Sequence, residues 1–238
     1  MKLLLINPNT TAHVTDRMLA QARQAAAGQA EVIGVTGSSG PVIIGSRSEN
    51  ALAARTVLEL AARHHTDCDA VILGVSLDTA LRPLREMLDK PVTAMTEAAL
   101  LTACMIGGQI GCLTLGSSLL PVYEELTAAY GLASRVSGWR ALDMPSAYGP
   151  AIDPEVASRV TLACETMAAQ DRAEASGHRP TRLHIAYSKR IAGGLFSANA
   201  HFTDHPLSAR LSGEYEVVTV DSIFAWLERG GHVRHRED

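Results

Sequence analysis

The stretch "DAVILGVSLDTAL", residues 69–81, decides how the chain is read. Val71, Ile72 and Leu73 form an apolar run that stops at Gly74, and small and polar residues then lead into a helical pattern. A short continuous apolar run bounded by glycine fits a strand buried on both faces, as the strands of a parallel sheet are. The same unit of strand, polar loop and helix recurs around residues 6–11, 114–120 and 186–194. Strands are expected at 2–6, 31–35, 70–75, 91–95, 110–115, 135–141, 182–187 and 215–220. Helices are expected at 12–27, 48–64, 79–88, 97–106, 120–130, 154–175, 204–211 and 221–229. This alternation defines an α/β fold of mainly parallel sheets flanked by helices. In open parallel sheets the ligand crevice lies at the carboxyl ends of the strands, so the four loops share one functional edge. Two lobes with a cleft between them follow: residues 1–96 with 210–238, and residues 97–209.

Composition agrees with a small-molecule protein. The chain has 238 residues, 47% hydrophobic, 19% charged and only 4% aromatic, with a mean hydropathy of +0.08. That is ample for a core and far from a disordered composition. A net charge of −4 and a pI near 6.1 leave no basic footprint for nucleic acid. The opening "MKLLLINPNTT" is too short for a secretory core or a membrane span and reads as a buried first strand. Cys68, Cys104, Cys112 and Cys164 show neither a CxxC pattern nor metal-ligand spacing. Reduced thiols in a cytoplasmic protein are the expectation, with no metal and no membrane partner.

Local signals place several helix ends. "SRSE", Ser46 to Glu49, reads as a capping box ahead of an amphipathic run. Pro83, Pro121 and Pro154 stand near starts of helical runs, where a missing N–H is tolerated.

The candidate site residues lie on the strand-end loops. In "INPNTT" (6–11), Asn7, Asn9 and Thr10 can donate to a carboxylate or ring carbonyl while Thr11 caps the helix; a turn shaped by Asn and Pro is the plainer reading. In "TGSSGPVIIGSRSE" (36–49), Ser38 or Ser39 and exposed amides can cradle an anion, or the segment is a simple connection. In "GVSLDTAL" (74–81), Ser76 and Thr79 suit an enolate or carboxylate oxygen. Asp78 reads more readily as a carboxylate at a helix N-terminus, stabilised by the dipole. In "CLTLGSS" (112–118), Thr114, Ser117 and Ser118 can bind a carboxylate, with helix capping by Ser118 the alternative. In "HIAYSKRIAGG" (184–194), Lys189 or Tyr187 can serve as acid or base if burial lowers its pKa; a solvated loop lysine is the commoner case.

Taken in order, these motifs resemble the aspartate/glutamate/hydantoin racemase superfamily, nearest its hydantoin- and allantoin-racemase-like branch. "LLLINPNTT", "DAVILGVSLDTAL", "KPVTAMTEAAL" and "GGQIGCLTLGSS" carry the resemblance, which covers residues 1–145 and weakens afterwards. It implies two pseudo-symmetric α/β lobes with the active site between them. It also implies cofactor-independent chemistry at a carbon next to a carbonyl of a small anionic or ureide substrate. A cysteine from each lobe would flank that carbon, because inverting a centre with two bases requires a proton carrier on each face. Here the alignment places Val75 where the first cysteine belongs, with Ser76 beside it, and Ser188 within a residue or two of the second. A valine cannot move a proton. The expectation is therefore an isomerase- or racemase-type enzyme working without the thiol pair, with Lys189, Tyr187 or water carrying the proton. Decarboxylation or lysis of a small acid on the same scaffold, and binding of a small carboxylate or ureide without turnover, are the alternatives. A serine nucleophile, Ser76 or Ser188, is a weaker one and needs His184 or His201 brought close by the fold. A homo-oligomer is expected.

Overall fold

The computed structural model describes residues 1–106, 108–143, 154–170 and the strand 184–187. Two parallel sheets form. The first has the order β2-β1-β3-β4, from β1 (Lys2–Asn7), β2 (Glu31–Thr36), β3 (Ala70–Leu73) and β4 (Val92–Ala94). The second has the order β6-β5-β7, from β5 (Ile110–Leu115), β6 (Val136–Leu142) and β7 (His184–Tyr187). All strand pairs are parallel. Register brings the carboxyl ends of the first sheet level, with Asn7 opposite Thr36 and Ile6 opposite Leu73. The expected α/β architecture is thus observed. The helix at 204–211, the strand at 215–220 and the helix at 221–229 lie outside the described residues.

Helices α1 (Ala12–Ala26), α2 (Arg47–His64), α3 (Leu81–Met87), α4 (Met95–Ile106), α5 (Leu120–Ala129) and α6 (Pro154–Gln170) connect the strands. The apolar runs of β1 and β3 are buried as their composition requires: Leu4, Ile6, Val71 and Leu73 are fully enclosed. Capping starts α2 at Arg47, with Ser46 accepting from the Glu49 N–H at 3.2 Å. Glu49 returns its carboxylate to the Gly45 N–H at 2.7 Å, one residue earlier than in the standard capping box.

Two helix starts differ from the sequence expectation, for one shared reason. Asp78 and Ala80 adopt left-handed backbone, φ 48° and 58°, so α3 begins at Leu81 rather than residue 79. α4 begins at Met95, directly from β4, rather than at 97, because Asp78 caps it from a distance. Asp78 is therefore a helix N-terminal carboxylate, as expected, but for α4 and not for the helix that follows it in sequence.

Helix α5 ties the two sheets together. It follows β5 of the second sheet, yet Leu119 and Tyr123 are buried in the core built around the first. Tyr123 stacks on Trp139 of β6, with ring centroids 4.9 Å apart and planes 14° from parallel. A separate apolar cluster of Leu113, Leu115, Val156, Val160 and Met167 joins β5 to α6.

Candidate active site

The loops after β1, β2 and β3 form one edge of the first sheet, and their side chains divide into fixed and available groups. Asn7 is fixed. It is fully buried, and its Nδ2 donates to Asn9 Oδ1 and Thr15 Oγ1, both at 2.9 Å, while Oδ1 accepts from the Asn9 N–H at 3.2 Å. It organises the loop and has no donor left for a ligand. Asn9 Oδ1 also accepts from the Thr11 N–H at 2.9 Å, whereas Asn9 Nδ2 has no partner among the described residues. Thr10 anchors the loop through its N–H to Pro41 O at 3.1 Å. Thr11 does not cap α1; its hydroxyl donates to Val42 O at 2.7 Å.

Ser38 and Ser39 are exposed on the loop after β2. Gly37, just before them, is where the loops after β1 and β2 touch. A Cβ there would stand 2.7 Å from Pro8 O and 3.1 Å from Asn9 O. Only glycine allows this approach.

The loop after β3 is buried throughout, Val75 at 4% exposure and Ser76 at 3%. Val75 packs into the first core. Ser76 Oγ accepts from the Tyr123 hydroxyl at 2.7 Å, and Ser76 O accepts from Thr96 Oγ1 at 2.5 Å. Thr79 is not available to a ligand as a donor, because its hydroxyl donates to Asn50 Oδ1 of α2 at 2.5 Å. Asp78 is also committed. Its Oδ1 accepts from the Thr96 N–H at 2.8 Å, and its Oδ2 from the Glu97 N–H at 2.7 Å and the Tyr130 hydroxyl at 2.6 Å. Burial lifts its pKa to about 6 against these hydrogen bonds, which favour the ionised form. Burial, and then the facing Asp78 charge, push the Tyr130 phenol well above its ordinary value.

On the second sheet, Thr114 is buried within β5, while Ser117 and Ser118 are exposed after it. Ser118 does not cap α5; its hydroxyl donates to Gly45 O at 3.5 Å, reaching the loop that leads into α2. Ser117 N–H donates to Asp143 Oδ1 at 2.7 Å, which holds that exposed carboxyl below its ordinary pKa. An Arg47–Glu125 ion pair also links α2 to α5. Strand-end loops of the two sheets therefore meet at Gly45 and Ser118, and helix α5 of the second sheet holds Ser76 and Asp78 of the first. Ser188, Lys189 and the side chain of Tyr187 lie outside what is described.

The thiols are elsewhere. Cys68 precedes β3, at the opposite end of the strand from the candidate loop, and burial raises its pKa. Cys112 lies within β5, and burial pushes it up to about 12. Cys104 belongs to α4 and Cys164 to α6. No cysteine stands on the described strand-end loops.

Sequence reasoning missed Asn50, Thr96, Tyr123 and Tyr130. The two tyrosines are seven residues apart, with buried Thr127 between them at helical spacing, a pattern that reads as ordinary core.

The fold defines an α/β protein whose candidate ligand edge carries strand-end amides and hydroxyls. The chain belongs to the Asp/Glu/Hydantoin racemase family, which it matches over residues 3–175. An uncharacterized family conserved in bacteria also matches residues 151–227. A hydantoin racemase of Pseudomonas sp. (strain NS671) is 29% identical over 145 residues, 60% of this chain and 58% of that protein. The matched region thus spans less than two thirds of that relative. A hydantoin racemase of Rhizobium meliloti is 28% identical over 74% of this chain and 73% of its own length. Among solved structures, the allantoin racemase from Klebsiella pneumoniae superposes with a TM-score of 0.74 at 22% identity, covering 99% of this chain and 91% of that one. The allantoin racemase from Pseudomonas fluorescens gives 0.73 at 26% identity, covering 100% and 95%.

Proposed function

We propose that the chain is a cofactor-independent racemase- or isomerase-type enzyme acting at the carbon next to a carbonyl in a small hydantoin or related ureide. Family membership and the hydantoin and allantoin racemases among its relatives support the substrate class. The observation that carries the mechanism is the loop after β3, where Ser76 is held by a tyrosine hydroxyl; the resemblance in sequence puts its neighbour Val75 where the family's thiol belongs. Removing a proton beside a carbonyl throws negative charge onto that oxygen. Fixed hydrogen-bond donors in a site sheltered from water stabilise it without reorganising. Ser76, whose oxygen already accepts from Tyr123, keeps its own proton for that purpose. Asn9 Nδ2 and the exposed Ser38 and Ser39 hydroxyls supply further polar contacts at the rim. Asn7, Asp78 and Thr79 act behind them by fixing the loops. Lys189, Tyr187, Ser188 or a bound water supplies the proton carrier that Val75 cannot.

Val75 favours a second reading. With no proton carrier at that position, the site suits a reaction that delivers a proton from one side only, such as decarboxylation of a small acid. It equally suits binding without turnover. One experiment separates these. The protein is incubated in D2O with 5-substituted hydantoins, allantoin, amino acids and substituted malonates, and deuterium uptake and CO2 release are followed. Deuterium at the α-carbon, lost in Ser76→Ala and Lys189→Ala, is the expected result. CO2 release from malonates alone replaces isomerisation with decarboxylation, and thermal stabilisation by a ureide without either leaves a binding protein.

A further inference from the structure

We propose that Asp78 and Tyr130 form a proton-operated clamp that sets the 75–79 loop against the second sheet, making Asp78 a positioning residue of the site. The inference rests on the functional reading only for the role of that loop. The clamp itself is a property of the fold. Asp78 gathers three donors from two elements outside its own loop, the first two amides of the Thr96–Glu97 turn in α4 and the Tyr130 hydroxyl at the end of α5. The residue has left-handed backbone, φ 48°, a conformation aspartate tolerates better than most side chains, and its three hydrogen bonds hold it there. Such a constrained, enclosed carboxylate is a fixed point of the structure.

The charged groups around it come from three elements. Glu97 of α4 is the nearest anion, and Arg85 of α3 holds that carboxylate with two hydrogen bonds, at 2.9 and 2.5 Å. Tyr130 of α5 is the titratable group in direct contact. Enclosure opposes the ionised carboxylate while the three donors favour it, and the balance falls near pH 6. One proton therefore changes what the group can accept. Ionised, Oδ2 receives both the Glu97 N–H and the Tyr130 O–H. Protonated on Oδ2, it becomes a donor itself, so the Tyr130 bond must reverse or open. Tyr130 stands seven residues after Tyr123, which grips Ser76 on the same loop. α5 therefore holds the loop at two points, and the one at Tyr130 answers directly to Asp78.

The test uses the full chain, labelled with nitrogen-15. The amide resonances of Thr96 and Glu97 are titrated from about pH 4.5 to about 8 in the native protein, Asp78→Asn and Tyr130→Phe. Both native amides are expected to move together with a midpoint near pH 6. That transition should vanish in Asp78→Asn. In Tyr130→Phe the midpoint should rise by about one pH unit, since the lost hydroxyl favoured the ionised form. A midpoint in the ordinary carboxylate range, or one unmoved by Tyr130→Phe, overturns the clamp. In parallel, KM for deuterium exchange into a 5-substituted hydantoin should inflect at the same pH, and Asp78→Asn should lose the inflection. Titrating amides beside a flat KM show that the clamp does not govern the loop and overturn its positioning role. No exchange with any ureide at any pH defeats the functional reading instead, and the amide titration still decides the clamp.

Discussion

Replacing Asp78 by Asn tests the buried carboxylate through stability, without any substrate. The folded pKa stands near 6 against an ordinary value of 3.8. Between those values the native state keeps a proton that the unfolded chain has released. The contribution of Asp78 is therefore greatest below about pH 4 and falls as pH rises through 6, and two pH units correspond to about 3 kcal/mol. Asparagine keeps a carbonyl for the Thr96 N–H but presents an NH2 group to the Glu97 N–H, leaving that donor unsatisfied at a cost of about 1–3 kcal/mol. The deficit of Asp78→Asn relative to the native protein should thus be largest at the acid end, near about pH 4. It should shrink towards zero, or reverse, by about pH 7.5, as the native protein loses its own advantage. Urea unfolding followed by tryptophan fluorescence measures it, and every group common to both proteins cancels in the difference. A deficit that stays constant over that range, or grows with pH, refutes the reasoning.

Four further outcomes follow from packing and capping. Gly37→Ala should destabilise by about 1–3 kcal/mol, since the new methyl meets carbonyl oxygens of Pro8 and Asn9 that cannot yield. Gly74→Ala should cost less in the same unfolding assay, because two of its three close neighbours belong to the flexible Met18 thioether; an equal cost would contradict this. Val75→Cys, nearly volume-conserving, should change stability by less than about 1.5 kcal/mol. It should also raise α-proton exchange of a hydantoin in D2O, and exchange no faster than native would remove Val75 from the reacting face. Ser46→Ala should cost about 1 kcal/mol through loss of the α2 cap, read from the shift in urea midpoint.

Much of the fold was legible because its signals are local. The runs at Leu3–Ile6 and Val71–Leu73 are apolar without alternation, and each became a parallel strand enclosed by helices. The α2 start was legible for the same reason, its cap and its acidic partner lying within four residues. What failed was non-local. The α4 cap comes from a side chain 18 residues upstream, and no rule about neighbouring residues finds it. Left-handed backbone at Ala80 is likewise not announced by an alanine. In the candidate site, the sequence pointed to the strand-end loops but did not separate side chains free to face a ligand from those holding the loop. Asn7, Asp78 and Thr79 look identical to ligand groups until their partners Thr15, Thr96 and Asn50 are known.

Those partners carry an argument about use. Asn7, Asn9, Thr15, Ser76, Asp78, Thr79 and Thr96 are all buried, and all gather at the carboxyl edge of the first sheet. Burying polar groups costs stability unless each finds a partner, and a fully apolar edge would achieve the same fold more cheaply. Here the hydrogen bonds run from strand ends and loops to neighbouring helices, from Asn7 to Thr15, Thr79 to Asn50, Ser76 to Tyr123 and Asp78 to Tyr130. The last two cross from the first sheet to a helix of the second. Such a network fixes loop tips relative to one another, the condition for holding donors within hydrogen-bond reach of a developing charge. On the proposed reading, Val75 in place of the family's thiol removes one proton carrier and leaves this network intact. A chain that had abandoned ligand chemistry would gain nothing by keeping an enclosed carboxylate there.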